Sequence, residues 1–345
     1  MAKIVLADNS FPFDGRSMYE GSLGGAETAF TSLCESLVRL GHDVTVFNNC
    51  KKNITYKGVR WKNIKYYADE ELDLYVANRA HQVLSLFPKA KKRFFWIHNP
   101  ANYLLKWRYL KQIWKWGPTI IFSSDFHLKS YPWWAPSGKR VIIPYGISQE
   151  FLSSKKIKKT PPPKAIFTSN PMRSLDWLME IWSTKIHSNI PNAELHVFSS
   201  PKTYSATSSD KGRLMINIIN KAKKLRNNGI ILRDVLPKSQ LAKEFIDSRV
   251  LLYKGDLGET YCLALGESQA SGIPAVIQDI GCVKERIIDG KTGFVAKNDD
   301  EFAKRAIEIL TDDDLWRRLH KNTFQLQRGW TWDDAAKEFE KLLLN

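Results

Sequence analysis

The stretch Tyr253-Lys-Gly-Asp-Leu-Gly-Glu259-Thr-Tyr-Cys-Leu-Ala-Leu-Gly-Glu267-Ser-Gln-Ala-Ser-Gly272-Ile-Pro274-Ala-Val276 changes its hydrophobic period twice. Residues 250–253 are a short apolar run ending in Lys-Gly-Asp, and a helical pattern begins near Tyr261. Ser271-Gly272-Ile273-Pro274 then stops the helix before a buried-strand run at 275–278. Strand, turn, helix and strand in this order belong to a parallel α/β sheet, which binds ligands where its strands end.

The two carboxylates have different settings. Glu259 precedes the helix in the loop, whereas Glu267 lies about two turns along it at 1.5 Å of rise per residue. Between them, the backbone amides of Tyr261, Cys262 and Leu263 fall where a helix has unpaired N–H groups and the positive end of its dipole, a seat suited to a diphosphate. Glu267 offers two acceptor oxygens.

Alternating strands and helices extend outward in both directions. Upstream, strand patterns at 165–168, 194–198 and 229–232 are separated by helical stretches from Leu175, at 214–225 and at 239–246. Downstream, 301–310 and 314–326 read as amphipathic helices, and a last helix runs from Trp332 to Leu344. The Asp312-Asp313-Asp314 run between helices reads as a cap rather than a metal site. The N-terminal half opens with a strand at 3–7, a polar and aromatic loop at 8–23, Gly24-Gly25-Ala26-Glu27, a helix over 26–40 and a strand at 43–47. Paired glycines between a strand and a helix let backbone approach a phosphate, although such a pair also serves as a plain helix entry. A buried-strand pattern at 94–97 places His98 at a strand's carboxyl end, and further strands follow at 119–123 and 141–144.

Residues 153–163 are polar, basic and proline-rich, so no regular element continues through them. This gives an N-terminal Rossmann-like domain at 1–155, a linker at 156–163, a C-terminal domain at 164–327 and a closing segment at 328–345. Both domains are large enough to bury a core.

The 52 Lys and Arg residues against 36 Asp and Glu give a formal charge of +16, so an anionic partner is expected. The four cysteines have no zinc-like spacing and read as reduced thiols. No apolar run approaches the roughly 20 residues of a bilayer span. With no signal-peptide pattern at Met1, the expected location is cytoplasmic, with peripheral attachment to a membrane's cytoplasmic face open. Residues 74–124 contain no Asp or Glu but many lysines and arginines, and six of the twelve tryptophans fall between 96 and 134. On a helix, Tyr103, Trp107, Leu110 and Trp114 would share a face flanked by Arg108, Lys111 and Lys115. That pattern suits an anionic membrane surface through residues 74–134, or equally a core face beside a solvated one. Nucleic acid is a poorer fit, because no recognition motif accompanies the basic aromatic region.

Glu259 and Glu267 at this separation, followed by Ala270-x-Gly272-x-Pro274, Gly281-x-x-x-Glu285 and Gly290-x-x-Gly293, resemble the donor-site signature of retaining glycosyltransferases of family 4. The resemblance implies the GT-B fold, two Rossmann-like doubly wound parallel-sheet domains facing a central cleft, with the C-terminal helix crossing back to the first domain. It implies a metal-independent, retaining transfer from a nucleotide-diphosphate sugar, UDP- or GDP-linked, to a glycan or lipid-linked acceptor, with no cofactor. The departing diphosphate takes the acceptor's proton after front-face attack. Glu259, His98 and Arg173 take the catalytic positions. Gly24, Gly25, Val235, Tyr261, Cys262, Leu263 and Glu267 take the donor-binding ones, with Glu267 on the ribose diol, and the loop ahead of Gly24 and Gly25 borders the acceptor, which makes Phe11, Phe13, Arg16 and Tyr19 candidates for acceptor contacts. The chain departs from the family where Thr168 stands at a usual arginine, Arg173 at a usual lysine, and Cys262 and Cys282 at common glycines. Two other classes fit the same residues: a non-catalytic basic protein binding membrane or nucleic acid, and a GT-B sugar-nucleotide epimerase.

Overall fold

The computed structural model describes residues 1–21, 23–153, 156–200 and 209–344. The chain divides into two units, one comprising Met1–Glu20, Gly25–Gly146 and Trp330–Asn345, the other Gly21–Gly24 and Ile147–Gly329. The division follows Gly146 rather than residue 155, for a packing reason. The short helix Gln149–Leu152 buries Phe151 against Phe245 at 5.8 Å, and Arg249 Nε donates to Pro161 O at 2.6 Å, so both flanks of the proline run are tied to the second unit. Ser154 and Lys155 of the expected linker region lie outside the described residues.

The first unit holds an eight-stranded sheet: β1 (Lys3–Ala7), β2 (Asp43–Asn48), β3 (Ile54–Tyr56), β4 (Val59–Asn63), β5 (Leu72–Asn78), β6 (Ala90–Trp96), β7 (Thr119–Phe122) and β8 (Arg140–Ile142). Their order is β3-β4-β2-β1-β5-β6-β7-β8, with only the β3–β4 pair antiparallel. The second unit holds an all-parallel sheet of β9 (Lys164–Phe167), β10 (Glu194–Phe198), β11 (Ile230–Arg233), β12 (Val250–Leu252), β13 (Ala275–Gln278) and β14 (Gly293–Ala296), in the order β11-β10-β9-β12-β13-β14. Central parallel strands are covered on both faces, which is why Ile4-Val5-Leu6-Ala7 and Val250-Leu251-Leu252 are unbroken apolar runs with no exposed residue.

Strand order decides where ligands are received. In the first unit the chain steps from β1 to β2 in one direction and to β5 in the other. In the second it steps from β9 to β10 and later returns to β12 on the opposite side. The helices after such neighbouring strands diverge, and the space at their carboxyl ends is left open for side chains from the following loops.

The helix Trp332–Leu344 belongs to the first unit, as the crossing-back arrangement requires. Phe339 packs on Phe94 at 6.0 Å and Trp96 at 5.6 Å, and Asp333 pairs with Arg39 at 2.6 Å. Gly146 makes room for it: a Cβ there would stand 2.2 Å from the Trp332 nitrogen. Asp312 Oδ1 accepts the amides of Asp314 and Leu315 at 2.9 Å, the cap read from the sequence. The aromatic stripe is shorter than expected. Tyr103 lies in a separate 3-10 turn, Ala101–Leu105, stacked edge-on to Tyr109 at 5.1 Å, and the helix proper is Trp107–Trp116.

Candidate functional site

In the second unit the loop after β9 turns through Asn170, whose Oδ1 accepts the Met172 amide at 2.8 Å while its carbonyl accepts the Arg173 amide at 2.8 Å. This turn aims Arg173 across the switch point at the loop after β12. There its guanidinium pairs with Asp256 and donates to the Gly258 carbonyl at 3.3 Å. Burial by itself would lower the Arg173 pKa, but the charges of Glu259 and Asp256 raise it above the ordinary value, so the cation persists.

The β12 loop is held from within. Asp256 Oδ1 accepts the Gly258 amide at 2.7 Å, and the Glu259 amide donates to Asp256 O at 3.0 Å. Gly281, at φ +72°, lies so close that a Cβ would stand 2.3 Å from Asp256 O, which accounts for the glycine of the downstream motif. Tyr253 donates its hydroxyl to Glu259 Oε2, and the Cys262 thiol hydrogen-bonds the same carboxylate. Burial raises the Glu259 pKa, opposed by Arg173 and these hydrogen bonds. The carboxylate thus has a fixed direction.

Of the expected diphosphate amides, Tyr261 and Cys262 belong to buried residues and Leu263 to a half-buried one. Arg286 covers the Tyr261 ring at 4.4 Å. Cys262 precedes the helix Leu263–Ala270 in the left-handed region, φ 63° and ψ 76°. The first backbone bond of that helix runs from the Gly266 amide to Cys262 O at 3.1 Å, so the Leu263 and Ala264 amides have no acceptor within the helix. Glu267 is 3% exposed, and Lys238 Nζ is bound to its Oε1. Burial raises the Glu267 pKa while Lys238 pulls it down. Val235 is half-buried in the loop leading to Lys238. Thr168 replaces an expected cation with a buried hydroxyl that has no hydrogen-bond partner among the described residues.

The first unit has its own polar cluster at its switch point. Asp8 follows β1, Asn78 ends β5 and His98 follows β6. Asn78 Nδ2 donates to Asp8 Oδ2 at 2.5 Å, and Arg79 bridges Asp8 at 3.0 Å and Glu27 at 2.7 Å. His98 Nε2 lies 2.6 Å from Asn78 Oδ1, and its Nδ1 meets the Tyr145 hydroxyl. A carboxylate only accepts, so Asn78 must present Nδ2 to Asp8 and Oδ1 to His98. His98 Nε2 therefore carries the proton, and Nδ1 accepts from Tyr145. Burial, then Arg79 and His127, hold the His98 pKa well below the ordinary value, so the ring is neutral at pH 7. Both ring nitrogens are engaged by protein groups.

Gly24 is buried and Gly25 is exposed at the start of the Gly25–Arg39 helix. Two of the acceptor candidates are absorbed by packing. Phe13 is core, edge-on to Phe30 at 6.0 Å and Trp61 at 5.8 Å, and Tyr19 donates to Glu35 at 2.7 Å beneath the Lys57 ammonium. Arg16 pairs with Asp14 at 2.8 Å, while Phe11 is half-buried. Asp8, Asn78, Lys238, Tyr253 and Asp256 were not anticipated as site residues. Asp8 and Asn78 could have been found from their positions at strand ends; Lys238 and Asp256 have no sequence signal beyond being charged.

Residues 216–326 match the family model described as glycosyl transferases group 1. No curated protein matches the sequence. Among solved structures, sucrose-phosphate synthase from Thermosynechococcus elongatus is similar over 98% of this chain and 97% of its own, with 15% identity and a TM-score of 0.76. Anabaena Alr3699/HepE, solved with UDP and glucose, is similar over the whole of both chains with 12% identity and a TM-score of 0.74. A glycosyltransferase from Rickettsia africae covers 99% of this chain and 97% of its own, with 13% identity and a TM-score of 0.70. The fold is GT-B.

Proposed function

We propose that this GT-B chain, whose residues 216–326 match the glycosyl transferases group 1 model, moves a sugar from a nucleotide-diphosphate donor to a glycan or lipid-linked acceptor with retention and without a metal. The observation that carries this reading is the convergence, at the β9–β12 switch point, of one persistent cation, one directed carboxylate and one helix start. Breaking a sugar–diphosphate bond needs negative charge neutralised on the leaving group and positive charge tolerated at the anomeric carbon. Arg173 and the amides at the start of the Leu263–Ala270 helix meet the first need. Glu259, held by Tyr253, meets the second and binds sugar hydroxyls.

Glu267 holds the ribose together with Lys238, which gives the diol a donor as well as an acceptor. Val235 borders the nucleobase, Gly24 and Gly25 contact the diphosphate, and His98 contacts the sugar. UDP or GDP carries the donor, a choice supported by the UDP bound in the HepE structure.

The test is a thermal-shift screen across UDP, GDP, ADP and their sugars, followed by donor hydrolysis or transfer with the ligand that stabilises. Glu259→Gln should abolish turnover while leaving nucleotide binding in place. Turnover unchanged in Glu259→Gln, Glu267→Gln and Arg173→Met together would reject the site. Conversion of the donor sugar without any acceptor would favour an epimerase.

A further inference from the structure

The helix Trp107–Trp116 turns Tyr109, Ile113 and Trp116 toward the first unit's core and leaves its other face uncovered. Trp107 is 68% exposed and Trp114 is 75% exposed. At about 100° per residue these two lie within about 20° of each other, with Lys111 and Lys115 continuing the same side. Lys106 and Arg108 are exposed as well, and no carboxylate lies within ion-pair distance of any of these four cations among the described residues.

A second pair of tryptophans stands at the same edge. Trp133 is 88% exposed and Trp134 is 62% exposed, in the loop between the Asp125–Lys129 helix and β8. The loop is anchored to the helix end, since the Gly138 amide donates to Pro118 O at 2.9 Å, just past the Gly117 cap. Arg140 fixes it from beneath, donating to the carbonyls of Pro132 at 2.9 Å and Trp133 at 3.2 Å, and to that of Ala135. Ala135 and Tyr131 share one core cluster with Ile113. Four large indoles are therefore held in solvent by ordered backbone, which costs free energy unless something covers them.

We propose that this face docks on the surface of an anionic phospholipid bilayer. Indoles have an apolar body and a polar N–H and settle at the headgroup level, and lysines beside them answer the lipid charge. A protein partner would also cover indoles, but the uninterrupted single-sign charge selects an anionic, laterally extended surface. No described helix is long and apolar enough to cross a membrane, so the attachment is peripheral and reversible. The inference does not depend on the catalytic reading.

Vesicle flotation of the full chain tests it, with phosphatidylcholine alone against phosphatidylcholine containing about one third phosphatidylglycerol. The chain should float only with the anionic vesicles, and added salt should release it. Lys111→Gln with Lys115→Gln should weaken binding by about thirty-fold, from roughly 1 kcal/mol per cation. Trp107→Ser with Trp114→Ser should abolish stable flotation, and both variants should keep the wild-type unfolding midpoint because the replaced groups are exposed. No flotation of the wild type, or equal flotation by the variants, would overturn the proposal. So would a concentration-dependent dimer or a complex with duplex RNA that the same substitutions abolish while flotation persists.

Discussion

Replacing Arg173 by Met and, separately, Asp256 by Asn should move diphosphate affinity in opposite directions. Arg173 is the one cation among the described residues that bridges the β9 and β12 loops, through Asp256 and the Gly258 carbonyl. Hydrogen bonds to charged groups contribute about 1.5–3 kcal/mol, so Arg173→Met should weaken a nucleoside diphosphate roughly 10- to 150-fold. Asp256 holds that guanidinium and repels an incoming diphosphate. A unit charge about 5 Å away contributes about 3 kcal/mol at an effective dielectric of 20. With both side chains about a quarter to a third exposed, solvent screening reduces this to about 1 kcal/mol, or about fivefold tighter binding for Asp256→Asn. Asparagine keeps the acceptor that Gly258 requires, so the loop should hold its course. Isothermal titration with the stabilising nucleoside diphosphate measures both, and urea unfolding confirms that each variant is folded. Unchanged affinity in Arg173→Met, or weakened affinity in Asp256→Asn, would refute the assignment of Arg173 as the diphosphate's cation.

Three further outcomes follow from the geometry. Lys238→Met leaves the buried Glu267 carboxylate without its cation and should destabilise the protein by about 3 kcal/mol at neutral pH. Because the folded Glu267 pKa is already raised, the folded state binds the proton more tightly than the unfolded one. Stability associated with this group is therefore retained at acid pH and lost as pH rises through the folded pKa, so the deficit of Lys238→Met in urea melts should shrink toward pH 5. Tyr145→Phe removes the hydroxyl that donates to His98 Nδ1 and should cost about 1–3 kcal/mol of stability, read by thermal unfolding, with His98 remaining neutral in NMR titration. Cys262→Gly should be about 1 kcal/mol more stable than Cys262→Ala, because only glycine adopts φ near 63° without strain.

The sheets were legible because parallel strands buried on both faces must be written as apolar runs. That is why residues 3–7, 194–198 and 275–278 could be placed to within a residue. β3 and β4 escaped because an edge hairpin carrying Arg60 and Lys62 has no such run. β5 is apolar over 74–77 but starts among Asp69, Glu70, Glu71 and Asp73, which break its run. Glu259 was accessible from its place in the loop before a helix, and Arg173 only through the resemblance to the family's motif. Lys238 was not: a lysine at position 238 becomes meaningful only when the fold brings it to Glu267. Phe13 shows the opposite error, an aromatic in a polar loop that folds inward onto Trp61.

Gly146 pressed against Trp332 means that the chain leaves the first unit and re-enters it at neighbouring points. The ribosome therefore finishes residues 147–329 before the helix that covers Phe94 and Trp96 has emerged. On that schedule the later half can mature first, and the earlier half waits with two aromatic rings uncovered until the last helix arrives. A truncation just before Trp330 should expose this waiting state as a soluble second half attached to an aggregation-prone first.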